Sequence, residues 1–191
     1  MNHLAHLVLA DDTPESLIGN LAGDFLQGAD RASLHPALQA GIARHRAVDA
    51  FTDAHPLVAG SRARLGAGWR HMGRVLVDVF YDHFLAADFS RHTGRELRVF
   101  SARVYAALDS HRHLMPPRLA RAAPVMIRHD WLAAYAHIEG VGVILQRMAQ
   151  RARHGRNLAL ALGDLRSGYT GFARDFDEFF PLLKRHISSS G

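Results

Sequence analysis

The chain has 191 residues, of which 48% are apolar and 21% charged, and this composition predicts one compact domain over residues 1–191 rather than a multi-domain protein. No Cys is present, which excludes disulfides, thiol nucleophiles and Cys-based zinc sites and is compatible with a reducing compartment. The formal net charge of +5 predicts an acidic partner, but does not say whether that partner is nucleic acid, a membrane or a protein.

The sequence gives no sign of a targeting or membrane-spanning segment. The first ten residues lack the basic region of a signal peptide, because the first Arg is Arg31. No run approaches the roughly 18 consecutive apolar residues that span a bilayer. We therefore expect a soluble cytoplasmic protein that does not act at a membrane.

Apolar residues recur at spacings of three and four along the chain without sustained alternation, which predicts an all-α, single-domain helical bundle. Thr13, Pro14 and Glu15 form a good helix start, because a side-chain oxygen caps the helix and the acid faces its positive end. Pro56 ends the next helix, since the residue before a proline is disfavoured in the helical conformation. Helices are predicted at about 13–28, 35–54, 56–66, 69–89, 96–110, 117–136, 140–152 and from 157 to the C-terminus.

Two of these helices carry ionisable residues on the face that should be buried. One stripe comprises Leu38, Ile42, His45, Asp49 and Thr52, and the other comprises Val75, Asp78, Asp82, Leu85 and Phe89. Steps of three and four place each set on one side of its helix. Asp53 extends the acidic side of the first helix, and His83 follows Asp82 in the second. Asp24 and His6 are further candidates for the same polar cluster.

Buried carboxylates are costly to keep ionised unless a proton, a cationic partner or a metal compensates their charge. A single such residue is commonly a solvated Asp or a hydrogen-bonded core His, but two helices that present acids beside His favour a metal or catalytic site. Oxygen and imidazole ligands without thiolate suit Mn²⁺, Mg²⁺ or Fe²⁺ better than a structural zinc. Such an ion polarises a phosphoryl oxygen and acidifies water, as phosphodiester hydrolysis requires.

Three common metal or phosphate motifs are missing from the sequence. No Glu has a His three residues later, as di-iron carboxylate bundles require, and no His-Glu-x-x-His occurs. Lys184 is the only Lys, and it does not follow a Gly-rich segment. These absences exclude di-iron bundles, metalloproteases of that type and P-loop proteins.

Short segments with a characteristic order run along the chain. They are Asn2, Leu4-Ala-His6-Leu7, Ser16-Leu17, Gly19-Asn20, Asp24-Phe25, Gly41-Ile42, His45-Arg46, Asp49, Thr52-Asp53 and Asp82-His83-Phe84-Leu85, followed more thinly by Pro116-Pro117-Arg118, Trp131-Leu132, Tyr135 and Met148. Together they resemble the acyl carrier protein phosphodiesterase family over nearly the whole chain. The resemblance implies a helical fold related to the HD phosphohydrolases. It also implies a Mn²⁺-preferring hydrolase that removes the 4′-phosphopantetheine arm from holo-acyl carrier protein and releases the apo-protein.

The resemblance further implies roles for individual residues. The implied metal ligands are Asp24, His45, Asp82 and His83, with Asp78 close behind. Asp49 or Asp53 would orient a ligand or the attacking water, and Arg46 would pair with the phosphate oxygens. His6 would donate a proton to the departing serine oxygen.

One dipeptide departs from the pattern of the HD superfamily, in which a His precedes an Asp. The matching dipeptide in this chain is Asp82-His83, with the order reversed. A literal His129-Asp130 pair lies outside the better-matched N-terminal segments. We interpret that pair mainly as surface.

The positive charge is concentrated in residues 96–156, which hold ten Arg and four acids. The resemblance implies that Arg side chains of this segment attract the acidic carrier protein. The docking candidates are Arg112, Arg118, Arg121 and Arg128, with Arg98 and Arg103 in the same set. A second group recurs at similar spacing, with pairing to nearby acids as the alternative: Arg147, Arg151, Arg153 and Arg156. A solvated helix face is the alternative interpretation. Trp131 and Tyr135, four residues apart, are expected in the core.

Two other functions are compatible with parts of the sequence. An HD-type phosphohydrolase acting on a nucleotide or another small phosphodiester would use the same metal site. A helical nucleic-acid-binding module would use the basic segment and leave the buried acids structural. No helix-turn-helix, zinc-finger or ribonucleoprotein motif supports the latter function, so we expect no nucleic-acid partner.

Overall fold

The computed structural model describes residues 1–26, 34–69, 71–151 and 157–189, and these residues are helical without a β-strand. The predicted all-α fold is thereby confirmed. The first six helices are α1 (His3–Val8), α2 (Pro14–Ala22), α3 (Gln39–Ala54), α4 (Pro56–Arg64), α5 (Gly73–Ala87) and α6 (Phe89–Thr93). The next six are α7 (Leu97–Ser110), α8 (Pro117–Arg128), α9 (Trp131–Ala134), α10 (Ile138–Arg151), α11 (Leu162–Ser167) and α12 (Tyr169–Ser189).

Two predicted helix boundaries have the expected local cause. The Thr13 side chain accepts a hydrogen bond from the Ser16 amide at 3.2 Å, and Pro14 occupies the first position of α2. Helix α3 ends at Ala54, after which His55 is extended and Pro56 starts α4. Side-chain capping and proline therefore fix the ends of α2 and α3.

Two predicted helices are shorter or divided in the structure. Helix α2 ends at Ala22 and tightens into a 3₁₀ turn over Gly23–Phe25, whereas the sequence pattern continues to about residue 28, which lies outside the described residues. The segment predicted as one helix at 117–136 is split into α8 and α9. Asp130 causes this split, because it has a positive φ of 42° and caps α9 through the Ala133 amide.

Helix α5 lies at the centre of the bundle, as its apolar sequence predicts. Its residues from Tyr81 to Ala86 are all buried, and it contacts α1, α4, α10 and α12. Most of its surface is therefore removed from water, which favours a continuous hydrophobic core. Within the residues described, no helix has both the length and the apolarity that crossing a membrane requires.

Helices α2 and α3 cross at two glycines. A Cβ on Gly41 would lie 2.8 Å from the Cα of Gly19 and 2.8 Å from the Ser16 carbonyl oxygen. Only residues without a side chain allow the two backbones to approach so closely. This crossing brings His45, one turn further along α3, against the 3₁₀ turn that follows α2.

Candidate metal centre

Two buried imidazoles converge on one carboxylate at the junction of α1 and α3. His6 Nε2 lies 3.2 Å from Asp49 Oδ1, and His45 Nε2 lies 3.2 Å from Asp49 Oδ2. The potential ligand atoms of the three residues all lie within 4.8 Å of one another. His6 and His45 are buried, whereas the side chain of Asp49 is 32% exposed and gives solvent access to the group. We call His6, His45 and Asp49 the His–Asp cluster.

The donor atoms of the His–Asp cluster suit a divalent cation. The two rings stack with centroids 3.9 Å apart, so both Nε2 atoms face Asp49 from the same side. His6 Nδ1 is buried without a hydrogen-bond partner among the described residues, and the His45 ring also interacts with the Asn20 backbone. His6 Nε2 also lies 3.2 Å from the Met1 carbonyl oxygen. When the ring protons reside on Nδ1, the two Nε2 lone pairs and the carboxylate oxygens are close enough together to bind one metal ion.

Asp24 extends the His–Asp cluster by a fourth side chain. Its Oδ1 lies 3.7 Å from His45 Nε2, and its Oδ2 is 2.8 Å from His3 Nδ1. The contact with His3 fixes the carboxylate, which is partly exposed at the end of the 3₁₀ turn after α2. Asp24 is therefore placed to serve as an additional oxygen ligand at the open side of the cluster.

Electrostatics keep the acids of the site ionised. Burial by itself would raise the pKa of Asp49, but hydrogen bonds with His45 and His6 outweigh it and hold that pKa far below its usual range. For Asp24, burial is likewise outweighed by the hydrogen bond with His3 and by the nearby imidazoles, and its pKa falls to about 2. Two ionised carboxylates therefore face the paired imidazoles at neutral pH.

The amino group of Met1 lies beside the same site. It is 3.0 Å from Asp78 Oδ1 and 3.6 Å from Asp49 Oδ1. Burial would lower the pKa of this amine, but the charges of Asp78 and Asp49 raise it above its usual value. Asp78, predicted as a metal ligand, thus contacts an ammonium group and lies outside the His–Asp cluster.

Asp82 lies at the start of α1, and its ligation of a metal stays a prediction. Its carboxylate accepts hydrogen bonds from the Leu4 amide at 2.7 Å and from the Ala5 amide at 3.2 Å. It is fully buried and caps the first turn of α1, where backbone N–H groups lack helical partners. Asp82 therefore fixes the helix that carries His6, rather than joining the His–Asp cluster.

His83 is also separated from the His–Asp cluster. Its Nδ1 lies 2.8 Å from the Tyr135 carbonyl oxygen, and its Nε2 lies 3.0 Å from the Tyr169 hydroxyl. Both ring nitrogens have protein partners within the core. The His83 side chain therefore connects α5 to the end of α9 and to the start of α12. Metal ligation by His83 stays a prediction.

The remaining predicted catalytic residues lie at the edge of the site. The Asp53 carboxylate forms an ion pair with Arg74. The backbone carbonyl oxygen of Asp53 accepts a hydrogen bond from Arg62 at 2.8 Å. Arg46 is exposed on α3, directly after His45. His129 and Asp130 are both exposed, which agrees with their interpretation as surface.

The Arg candidates for docking differ in their pairing. Arg112 forms an ion pair with Asp109, and Arg103 forms one with Asp12. Arg118, Arg121 and Arg128 are exposed on α8, and no carboxylate of the described residues pairs with them. With Val125, which is 41% exposed, these three residues form one stripe with steps of three and four. We call this stripe the basic face of α8.

The sequence pattern did not indicate His3 or the cavity beside it. His3 links Asp24 to an aromatic wall, because its ring stacks on Phe25 at 5.7 Å and on Trp131 at 6.4 Å. The spacing of His3 and His6, three residues apart on one short helix, is the only sequence signal for this placement. Trp131 and Tyr135 are buried, as predicted for core residues.

The described residues thus form a helical protein with a His and Asp centre suited to a divalent metal. A family model described as acyl carrier protein phosphodiesterase matches residues 1–183. The chain belongs to the acyl carrier protein phosphodiesterase family.

Curated relatives match almost the whole chain. The acyl carrier protein phosphodiesterase of Serratia proteamaculans (strain 568) is 34% identical over 184 residues, covering 96% of this chain and 95% of the relative. The corresponding proteins of Yersinia enterocolitica (33% identity, 96% and 95% coverage) and Photorhabdus laumondii (30%, 96% and 93%) are similar over the same extent. No solved structure matches the chain significantly, so the relationship to HD phosphohydrolases stays a prediction.

Proposed function

We propose that this protein is a metal-dependent phosphodiesterase that hydrolyses the 4′-phosphopantetheine–serine phosphodiester of holo-acyl carrier protein, giving apo-acyl carrier protein and 4′-phosphopantetheine. The observation that carries the proposal is the convergence of His6 and His45 on Asp49 in a chain of this family. The geometry supports a reassignment of two residues. His6 and Asp49 become metal ligands rather than a proton donor and an orienting group.

In this proposal, His6, His45 and Asp49 hold one divalent cation, and Asp24 supplies a further oxygen. A set of imidazole and carboxylate donors without thiolate favours Mn²⁺, with Mg²⁺ and Fe²⁺ as alternatives. The ion supplies Lewis acidity to the phosphoryl group and lowers the pKa of water. Asp82 and His3 are positioning residues. Asp82 fixes α1, and His3 holds the Asp24 carboxylate.

The acidic carrier protein is the proposed partner, and the basic face of α8 is its proposed docking surface. Arg118 and Arg121 line a cavity together with Asp24, so the basic face adjoins the open side of the metal centre. Unpaired guanidinium groups attract an acidic protein and speed its encounter. We propose no nucleic-acid or membrane partner, and a cytoplasmic location stays a prediction from composition.

The mass of purified holo-acyl carrier protein, measured before and after incubation with this protein and Mn²⁺, tests the proposal. Loss of the phosphopantetheine mass identifies both the substrate and the bond. We expect no hydrolysis in excess chelator or with the His45→Ala variant. The Glu178→Gln variant, which changes an exposed acid on α12, should hydrolyse the carrier protein as the wild type does.

Two outcomes would contradict the proposal. Full hydrolysis in excess chelator would refute metal dependence. Hydrolysis of cyclic or linear nucleotides, with holo-acyl carrier protein left intact, would refute the substrate and favour a small-molecule phosphohydrolase.

A further inference from the structure

A cavity of about 290 Å³ lies on one side of Asp24. Its walls come from α1, the turn after α2, α9 and α10, and include His3, Phe25, Trp131, Ile144, Arg147 and Met148. The volume is at the lower end of the range of about 300–1,000 Å³ that small-molecule sites occupy. It therefore suits a narrow organic group rather than a folded partner.

Aromatic rings form part of the wall of this cavity. The His3 ring stacks with Phe25 and with Trp131, at interplanar angles of 23° and 14°. Ile144 and Met148 extend the apolar surface from α10. Such a wall favours methyl and methylene groups of a ligand, because their burial removes apolar surface from water.

Arg147 adds a cationic group to the same cavity. Its guanidinium lies 5.9 Å from the centre of the Trp131 ring, within the range of a cation–π contact. No carboxylate of the described residues forms an ion pair with Arg147. An arginine that offers five N–H donors beside an apolar wall favours a ligand with several carbonyl or hydroxyl acceptors.

Asp24 separates this cavity from the basic face of α8. Asp24 and Phe25 line the first cavity and also a second one, whose other walls include Arg118, Arg121 and Val125. The candidate metal centre thus has an apolar cavity on one side and an exposed basic surface on the other. A phosphodiester held at the candidate metal centre, beside Asp24, would direct one substituent into this cavity and the other toward the basic face of α8.

We propose that the cavity lined by Phe25, Trp131, Ile144, Arg147 and Met148 binds the pantetheine portion of the substrate, while the protein portion lies toward α8. This inference rests on the proposed function. The pantetheine portion is a narrow chain with a geminal dimethyl group, methylenes, two amides, a free hydroxyl and a terminal thiol. Its apolar groups match the aromatic and aliphatic side chains of the wall, and its carbonyl oxygens match the donors of Arg147.

Binding of pantetheine itself, which has no phosphate, tests the inference by isothermal titration calorimetry on the full chain. We expect saturable binding to the wild type and binding weakened by about tenfold or more in Ile144→Trp, because the larger ring fills the cavity. Val143→Trp is the matched control, since Val143 is exposed on the same helix and does not line the cavity. If Ile144→Trp does not fold, Arg147→Leu replaces it and should weaken binding by removing the donors.

Kinetic measurements connect the cavity to the reaction. Ile144→Trp should lower kcat/KM for holo-acyl carrier protein relative to the wild type. The factor of this decrease should be about ten times the factor for bis(p-nitrophenyl) phosphate, which has no pantetheine arm. No saturable binding of pantetheine to the wild type, or equal binding to both Trp variants, would overturn the inference. Pantetheine binding that follows the expected pattern, without hydrolysis of the carrier protein, would support the cavity and refute the proposed function instead.

Discussion

Asp49 is the carboxylate that both buried imidazoles of the His–Asp cluster contact. Its two oxygens face different rings, so a single side chain orients His6 and His45 together. An ionised acid in this position supplies the negative charge that a divalent cation needs. An amide in its place would keep the shape and lose the charge.

We therefore expect Asp49→Asn to weaken Mn²⁺ binding by at least about tenfold, because one ligand loses its negative charge. Titration calorimetry on metal-free protein measures the affinity. Asp109→Asn is the control, since Asp109 is exposed and pairs with Arg112. Equal Mn²⁺ affinities of wild type and Asp49→Asn would remove Asp49 from the ligand set.

Asp82 has a pKa that makes its contribution to stability depend on pH. Burial raises this pKa to about 7, although the amides of Leu4 and Ala5 donate hydrogen bonds to the carboxylate. In the unfolded chain, the carboxyl group titrates near its ordinary pKa of 3.8. The folded state therefore holds the proton more tightly, and the stability that this group contributes decreases as pH rises from about 4 to about 7.

Asp82→Asn tests this pH dependence, because an amide resembles the neutral acid. The difference in unfolding free energy between wild type and Asp82→Asn should decrease from about pH 4 to about pH 7 and level off above it. Urea unfolding of both proteins in excess chelator measures the difference without a contribution from bound metal. A difference that increases with pH would show that the carboxylate is stabilised by its two amide donors.

At the scale of elements, the turn after α2 holds His45 in place. A Cβ on Gly23 would lie 2.4 Å from the Cδ2 and Cγ atoms of the His45 ring. Gly23 has ordinary helical dihedral angles, so the glycine is needed for space and not for conformation. The close fit of this turn on α3 therefore fixes one imidazole of the cluster.

Gly23→Ala should displace the His45 ring, weaken Mn²⁺ binding by about tenfold or more and leave the helical circular dichroism unchanged. The matched control is Gly163→Ala in α11, where a Cβ meets no atom within 4 Å. Gly163→Ala should keep wild-type affinity and raise the unfolding free energy by about 0.5–1 kcal/mol, since alanine favours the helix. Equal metal affinity in both variants would show that His45 tolerates the added methyl group.

Local sequence determined some helix ends and not others. The Thr13 cap and Pro56 act through their own neighbours in the chain, so the boundaries near them were predictable. The division between α8 and α9 depends on the positive φ of Asp130, whose carboxylate also accepts a hydrogen bond from the Tyr105 hydroxyl at 2.8 Å. That contact joins residues 25 positions apart, and no local pattern reports it.

At the scale of the whole molecule, the positive charge is not spread evenly. Arg118, Arg121 and Arg128 share one exposed face of α8, next to the cavity that includes Asp24. Other Arg residues, such as Arg64 with Asp175, are engaged in ion pairs. The basic face of α8 is therefore the part of the surface where long-range attraction of an acidic protein should have most effect on the reaction.

Raising the ionic strength should lower kcat/KM for holo-acyl carrier protein, because salt screens attraction between exposed charges beyond about 10 Å at 0.1 M. Arg121→Gln/Arg128→Gln should lower kcat/KM by about threefold or more at low salt and reduce its salt dependence. The control is Arg95→Gln/Arg185→Gln, since these residues line cavities beside Lys184 that share no residue with those at Asp24. Equal salt dependence in both double variants would argue against docking at α8.

Composition, periodicity and short motifs were enough to predict the helical class, the family and the presence of His and Asp on buried helix faces. Which of these residues meet depends on the tertiary fold. Asp49 and Asp82 satisfy the same periodic pattern, yet Asp49 contacts two imidazoles whereas Asp82 caps α1. Periodicity assigns a residue to a face of its own helix, but the partner of that face depends on how distant helices cross, and the Gly19–Gly41 approach sets one such crossing.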